Sequence, residues 1–403
     1  MTTVRDLNEV NEEELVKPDD TFQTGRVLTI SVGHAVHDTF TGFLPPMLPA
    51  LMETLALSNT QAGLLTVFLQ APSLIQPWLG RIADRISLRD VVFLAPAVTA
   101  ILMSLLGVTP SYILICLLLV FAGISSAAFH SVAPVIAGKL SGNRLGRGMS
   151  FFMVAGEVGR VLGPLVVVTF ITYLGLRNMP WLIVAGVLAS VALYIRLKDV
   201  PDLAPSKVST DHWLKTLRLM LPVLGPMVGI VLMYSFAVAT LSTYLTVFLT
   251  EEGAGLWLAG AALSVFELSG VVGAFFGGSL SDRFGRRTVL LFSLALTPVF
   301  MLLFLYLVVN QLPVVPVLLI LGFVVLSLNP VLMAIIQEHF AENRAFANGI
   351  FMAMTFVLRS AVVMLLGAVG DWFGLRNTFL MASLVVFLGI PFVFFIPRDG
   401  PVR

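Results

Sequence analysis

Residues 112–136 read "YILICLLLVFAGISSAAFHSVAPVI", a run without one Asp, Glu, Lys or Arg. A helix rises about 1.5 Å per residue, so about 20 apolar residues cross the hydrocarbon core of a bilayer. Eleven further stretches of this kind emerge when loops are placed at polar and Gly/Pro breaks: 28–50, 61–80, 91–109, 148–171, 180–197, 221–249, 257–279, 288–309, 314–336, 346–369 and 378–396. Backbone N–H and C=O groups cannot stay unsatisfied in hydrocarbon. The chain is therefore expected to be an all-α integral membrane protein with twelve transmembrane helices. Its composition agrees, with 58% of the 403 residues apolar and 12% charged, and a mean hydropathy of +0.96.

Basic residues orient the bundle, because Lys and Arg gather in short cytoplasmic loops. With the N-terminus inside, twenty of the 24 basic residues fall on the inner side, Arg177 and Arg376 fall outside, and Arg160 and Arg359 lie within spans. Both termini are thus expected in the cytoplasm and the protein in the cytoplasmic (inner) membrane. Trp78, Trp181, Trp213, Trp257 and Trp372 fall near span ends, where an amphipathic ring is favoured. The expected organisation is a cytoplasmic tail over 1–27, a six-helix bundle over 28–197, a cytoplasmic linker over 198–219, a second six-helix bundle over 220–397 and a tail over 398–403. The first 27 residues are polar and acidic ("NEEELVKPDD") and do not read as a cleavable signal.

The chain repeats itself. "GRIADR" (80–85) returns as "GSLSDR" (278–283), "LLTVFLQ" (64–70) as "AALSVFE" (261–267), "GNR" (142–144) as "ENR" (342–344) and "LGLRN" (174–178) as "FGLRN" (373–377), at offsets of 197 to 200 residues. Six spans return the chain to its starting side, so the two halves share one topology and are related by an axis along the membrane normal. Within span one, "FLPPMLP" (43–49) removes backbone donors and is expected to bend the outer end.

"GSLSDRFGRR" (278–287) resembles the loop signature of the major facilitator superfamily, in the expected place after the second span of a half. The first half keeps it in degraded form as "GRIADRISLRD", and "GRVLGP" (159–164) resembles the superfamily's antiporter motif without its trailing glycine pair. "GHAVHD", "LTVFLQAPSLIQPWLGRIAD" and "SSAAFHSVA" are similar to stretches of its fosmidomycin-resistance branch of drug exporters. The resemblance implies two pseudo-symmetric six-helix halves and a central cavity lined by spans one, four and five with their counterparts seven, ten and eleven. The loop residues Asp84, Arg85, Asp282, Arg283, Arg286 and Arg287 are expected to gate that cavity. An aspartate on the cytoplasmic rim can face the positive end of a helix in the other half, a contact that must break when the cavity opens inward; mere positive-inside topology is the alternative.

An ionisable group at mid-bilayer costs about 2.5–3.5 kcal/mol on insertion scales, so it normally faces a bundle interior or a wet cavity. His34, His37 and Asp38 share one face of span one, and Glu157 lies beside Arg160 in span five. These acids and histidines (His34, His37, Asp38, Glu157) are the expected proton-coupling groups. A static hydrogen-bond network and a metal site are the other readings of span one, and no metal is expected. His130, Arg160, Glu267, Arg359 and Gln70 are the expected substrate contacts. Arg359 follows Arg160 by 199 residues, which places two guanidinium groups at related positions on opposite sides of one cavity. Such a pair suits a carboxylate, phosphate or phosphonate.

The expected function is secondary active transport: proton-coupled export of small amphipathic or anionic compounds by alternating access, the direction resting on the resemblance. Proton-coupled uptake of an organic anion and lipid flipping are alternatives. A membrane-embedded metal-dependent enzyme is the alternative from another class, but no convincing nucleophile and base pair is present. No Gly-x4-Gly-Lys-Ser/Thr occurs, and the net charge of +1 offers no nucleic-acid footprint. The single cysteine, Cys116, excludes an intramolecular disulfide. Substrate, protons and the bilayer are the expected partners of a monomer without cofactors.

Overall fold

The computed structural model describes residues 21–76, 78–79, 89–200, 213–340 and 344–397, and every regular element among them is helical. The first half holds α1 (Thr24–Thr41), α2 (Leu44–Leu55), α3 (Asn59–Gln70), α4 (Arg89–Leu105), α5 (Tyr112–Leu140), α6 (Leu145–Leu174) and α7 (Ile183–Leu197). The second holds α8 (Trp213–Ala239), α9 (Leu245–Glu251), α10 (Leu256–Phe284), α11 (Arg286–Val309), α12 (Val315–Leu326), α13 (Leu328–His339), α14 (Arg344–Phe373), α15 (Leu375–Val386) and α16 (Ile390–Phe394). Ten helical segments among the described residues are long and apolar enough to cross a membrane. The first two of the twelve expected spans are not among these ten. Span one divides into α1 and α2 at Gly42–Phe43, just before Pro45 and Pro46, and span two runs from α3 through a 3₁₀ turn (Ala71–Ile75) toward residues outside the described set.

Duplication is visible in the backbone. Gly175 closes α6 at φ 87°, ψ 152°, and Gly374 closes α14 at φ 79°, ψ 155°, a conformation that only glycine enters without strain. Three residues on, the Asn178 amide donates to the Leu174 carbonyl (2.6 Å) and the Asn377 amide to the Phe373 carbonyl (2.8 Å). The break in span one also has its counterpart, a π-turn over Thr240–Tyr244 between α8 and α9. Large apolar side chains such as Ile113, Phe275 and Phe292 lie exposed on the flanks, and Trp78, Trp181, Trp257 and Trp372 are exposed near helix ends. That is the surface a lipid-embedded bundle presents.

Close helix approach depends on a glycine stripe. Gly156, Gly159 and Gly163 share the face of α6 that meets α1. A Cβ on Gly159 would stand 2.3 Å from the Ala35 carbonyl oxygen, and one on Gly163 would stand 2.7 Å from that of Thr39. At Gly156 it would meet the His34 ring at 2.4 Å. Gly159→Val is therefore expected to force α1 and α6 apart and destabilise the protein by about 1–3 kcal/mol or more. Thermal unfolding in detergent checks this, with Gly146→Ala as control, since a Cβ there meets nothing within 4 Å.

Among the described residues, hydrogen bonds between the two halves lie at mid-depth or toward the end that bears Gly175 and Gly374. There the Asp371 carboxylate accepts from the backbone N–H groups of Asn59 (2.6 Å) and Thr60 (3.1 Å) and from the Thr60 hydroxyl (2.6 Å), capping the N-terminus of α3 from the opposite half. Tyr244 donates to the Asn59 carbonyl (3.2 Å), Thr246 to that of Pro45 (2.7 Å) and Trp257 to the Thr169 hydroxyl (3.1 Å). From mid-depth toward the opposite end, a cavity of about 610 Å³ lies between the halves, lined among others by Gln70, Ser126, Met333 and Arg359.

Candidate functional site

Two polar groups sit beside this cleft. The first is built on α1, where His34 and Asp38 stand one turn apart and both are buried. His130 of α5 closes a triangle with them. His34 Nε2 lies 3.2 Å from Asp38 Oδ2, His130 Nε2 lies 3.4 Å from Asp38 Oδ1, and the two Nε2 atoms are 3.3 Å apart. The other ring nitrogens are committed elsewhere. His34 Nδ1 is 2.9 Å from the Phe152 carbonyl oxygen, and His130 Nδ1 is 2.9 Å from that of Ser126. A carbonyl only accepts, so both Nδ1 atoms carry the hydrogen. Neutral imidazoles then present bare Nε2 lone pairs to a carboxylate that also only accepts. Three acceptors turned toward one another need a cation among them, and one proton is the smallest that serves.

His37 is not part of the triangle. Expected on the same face as His34 and Asp38, it is buried and stacked on Phe129, with ring centroids 4.5 Å apart. His130, assigned from sequence to the substrate group, takes the place beside Asp38. Phe152 stacks on the His34 ring at 4.1 Å, and Gly156 leaves that ring its room.

The second group lines a cavity of about 260 Å³ that includes Gln70, Arg160, Glu267, Asn329 and Arg359. Arg160 Nη2 meets Glu157 Oε2 at 3.1 Å and Glu267 Oε2 at 3.2 Å. Glu267 belongs to α10, so this bridge spans the halves. Arg359, on α14, makes no hydrogen bond or ion pair with any described residue. The two arginines, 199 positions apart in the sequence, thus face one cavity, Arg160 in ion pairs with two carboxylates and Arg359 in none among the described residues. Sequence reasoning passed over Asn329, whose only signal was an isolated amide in an apolar span, and Asp371, whose signal was an acid at the end of span eleven.

Among the described residues, the ion pairs and hydrogen bonds of the second-half loop are with that half. Asp282 Oδ1 meets Arg286 Nη2 at 2.5 Å, and the same nitrogen meets Glu338 Oε1 at 2.6 Å. Arg286 also donates to the Ser281 hydroxyl and Arg287 to the Ile396 carbonyl. The Arg283 guanidinium lies over the Phe284 ring at 5.4 Å. Asp84 and Arg85 lie outside the described residues.

An apolar exterior, a duplicated helical architecture and charges gathered beside a cleft between the halves define a multi-pass membrane transporter of small molecules, not an enzyme. The chain belongs to the Major Facilitator Superfamily, whose family profile matches residues 30–283 and 227–403. The Fosmidomycin resistance protein of Escherichia coli (strain K12) is 26% identical over 375 residues, covering 91% of each chain. The Uncharacterized MFS-type transporter YfnC of Bacillus subtilis (strain 168) is 25% identical, covering 98% of each. Among solved structures, a bacterial homologue of the human lysosomal transporter Spinster, inward-facing and occupied, superposes with a TM-score of 0.77 at 15% identity, covering 93% of this chain and 96% of that one.

Proposed function

We propose that the chain is a proton-coupled exporter of small anionic or amphipathic compounds. It would work as a twelve-span protein of the cytoplasmic membrane with both termini inside. In this reading the bundles 28–197 and 220–397 rock about the central cavity. The end bearing Arg286 faces the cytoplasm, so the cleft opens inward. The Asp371 cap on α3 and its neighbouring bonds hold the outer side closed, and they must break for release.

The observation that carries the reading is Arg359, a guanidinium that makes no hydrogen bond or ion pair among the described residues, facing a cavity whose other arginine is already paired with two carboxylates. A permanently charged guanidinium of this kind binds a carboxylate, phosphate or phosphonate bidentately. Resistance in the Escherichia coli relative favours export, and fosmidomycin, a phosphonate, is the first compound to try. The His34–Asp38–His130 triangle supplies a proton site one helix away from Arg160.

Inside-out vesicles loaded with the purified protein test this directly. An acidic lumen is expected to drive accumulation of labelled phosphonate, saturably and in proportion to the pH gradient. Accumulation only in right-side-out vesicles with an acidic exterior would make the protein an uptake symporter instead, and flux indifferent to the gradient would remove proton coupling.

A further inference from the structure

We infer that the His34–Asp38–His130 triangle is a binding site for a divalent transition-metal ion of the zinc type, which enters from the cleft and displaces the proton held there. The inference rests on the proposed reading only in placing a proton in the triangle; metal binding itself requires no transport.

The donor set is the first argument. Two imidazole nitrogens and a carboxylate oxygen suit zinc-like ions, whereas calcium and magnesium select oxygen. Spacing is the second. Zinc–nitrogen bonds of about 2.0–2.1 Å at a tetrahedral centre put neighbouring donors about 3.3 Å apart. The two Nε2 atoms are 3.3 Å apart. Each faces its own Asp38 oxygen, His34 at 3.2 Å from Oδ2 and His130 at 3.4 Å from Oδ1, and one ligand atom from each residue lies within 4.8 Å of the others. The third argument is the shell outside the ligands. Each histidine donates its Nδ1 hydrogen to a backbone carbonyl, Phe152 for His34 and Ser126 for His130. That bond fixes the tautomer in which Nε2 is the free ligand atom and holds the ring in place. Stacking on Phe152 further restrains His34.

An entry path is present. His34 and Asp38 are buried, but the His130 side chain is 33% exposed, and Ser126, one turn earlier on α5, lines the larger cavity. Metal binding requires bare imidazole nitrogens and an ionised carboxylate, so ion and proton exclude one another. In a proton-driven carrier, zinc would hold the site in its deprotonated form and stop turnover.

The test uses full-length protein without an affinity tag, in detergent, titrated with Zn²⁺ by calorimetry and with Co²⁺ by visible absorption. One Zn²⁺ per chain and the intense visible bands of four-coordinate Co²⁺ are expected. Asp38→Asn, nearly isosteric, and His130→Gln should each weaken binding by about tenfold or more. His339→Gln, at a buried histidine of α13 far along the chain, should leave it unchanged. Absent binding, binding untouched by both triangle variants, or binding removed by His339→Gln overturns the inference. A chain that binds zinc as described yet shows no pH-driven flux keeps the site and loses the proton reading. Proton coupling that depends on Asp38 without zinc binding gives the converse.

Discussion

Asp38→Asn is expected to reduce pH-driven flux to the level of protein-free vesicles while the protein stays folded. An amide in place of the carboxylate donates to one Nε2 and accepts from nothing in the triangle, so the two histidines keep their tautomers with no extra proton between them. One of the two Asp38 contacts is kept as an amide hydrogen bond, and the site for the proton is lost. Because the defect lies in coupling and not in the substrate cavity, exchange of labelled for unlabelled substrate at equal pH on both sides should persist. A variant whose flux follows the pH gradient as the wild type does would remove Asp38 from the coupling step. Loss of exchange together with coupling would place Asp38 in substrate binding instead.

The two cavity arginines are expected to part company under mutation. Arg359→Ala removes a charge that makes no hydrogen bond or ion pair with a described residue, so thermal stability should stay within about 0.5 kcal/mol of wild type or rise slightly. Affinity for an anionic substrate should nevertheless fall by about 30-fold or more. That figure is the lower edge of the roughly 2–5 kcal/mol lost when one partner of a desolvated charge pair is truncated. Arg160→Ala instead strands Glu157 and Glu267 beside each other. It should cost about 1–3 kcal/mol of stability, less than a fully buried pair because the Arg160 side chain is 44% exposed. Scintillation binding and thermal unfolding on the same preparations separate the two effects. Equal destabilisation by both variants, or unaltered binding in Arg359→Ala, contradicts the division of labour.

Much of the architecture could be read before any coordinates because hydrocarbon leaves the backbone few options. A 25-residue apolar run has to be helical, and α5 is. The 199-residue offset between "LGLRN" and "FGLRN" marks a real equivalence, down to the left-handed glycine and the asparagine bond that follows it. "FLPPMLP" signalled the interruption of span one, since proline cannot donate to the helix ladder. Its counterpart at Thr240–Tyr244 contains no proline and carried no comparable signal.

The site was legible residue by residue and not as a set. Helical periodicity could align His34, His37 and Asp38 because it counts positions along one helix. It could not tell that His37 turns onto Phe129 while His130, from another helix, reaches Asp38. In the same way Glu157 and Arg160 were neighbours on paper, but Glu267 became the second partner of Arg160 only when α10 was laid against α6. Asp371 and the N-terminus of α3 are 311 residues apart, and nothing local in either announces the other.

By itself the sequence determined the spans, their duplication and the short inventory of charges that a membrane interior would not tolerate on its lipid face, because each follows from the cost of exposing polar groups to hydrocarbon. Tertiary structure alone decided which of those charges meet, which has no ion pair among the described residues and where the cleft opens. Those outcomes depend on distances of a few ångströms between helices far apart in the chain, and no local pattern encodes them.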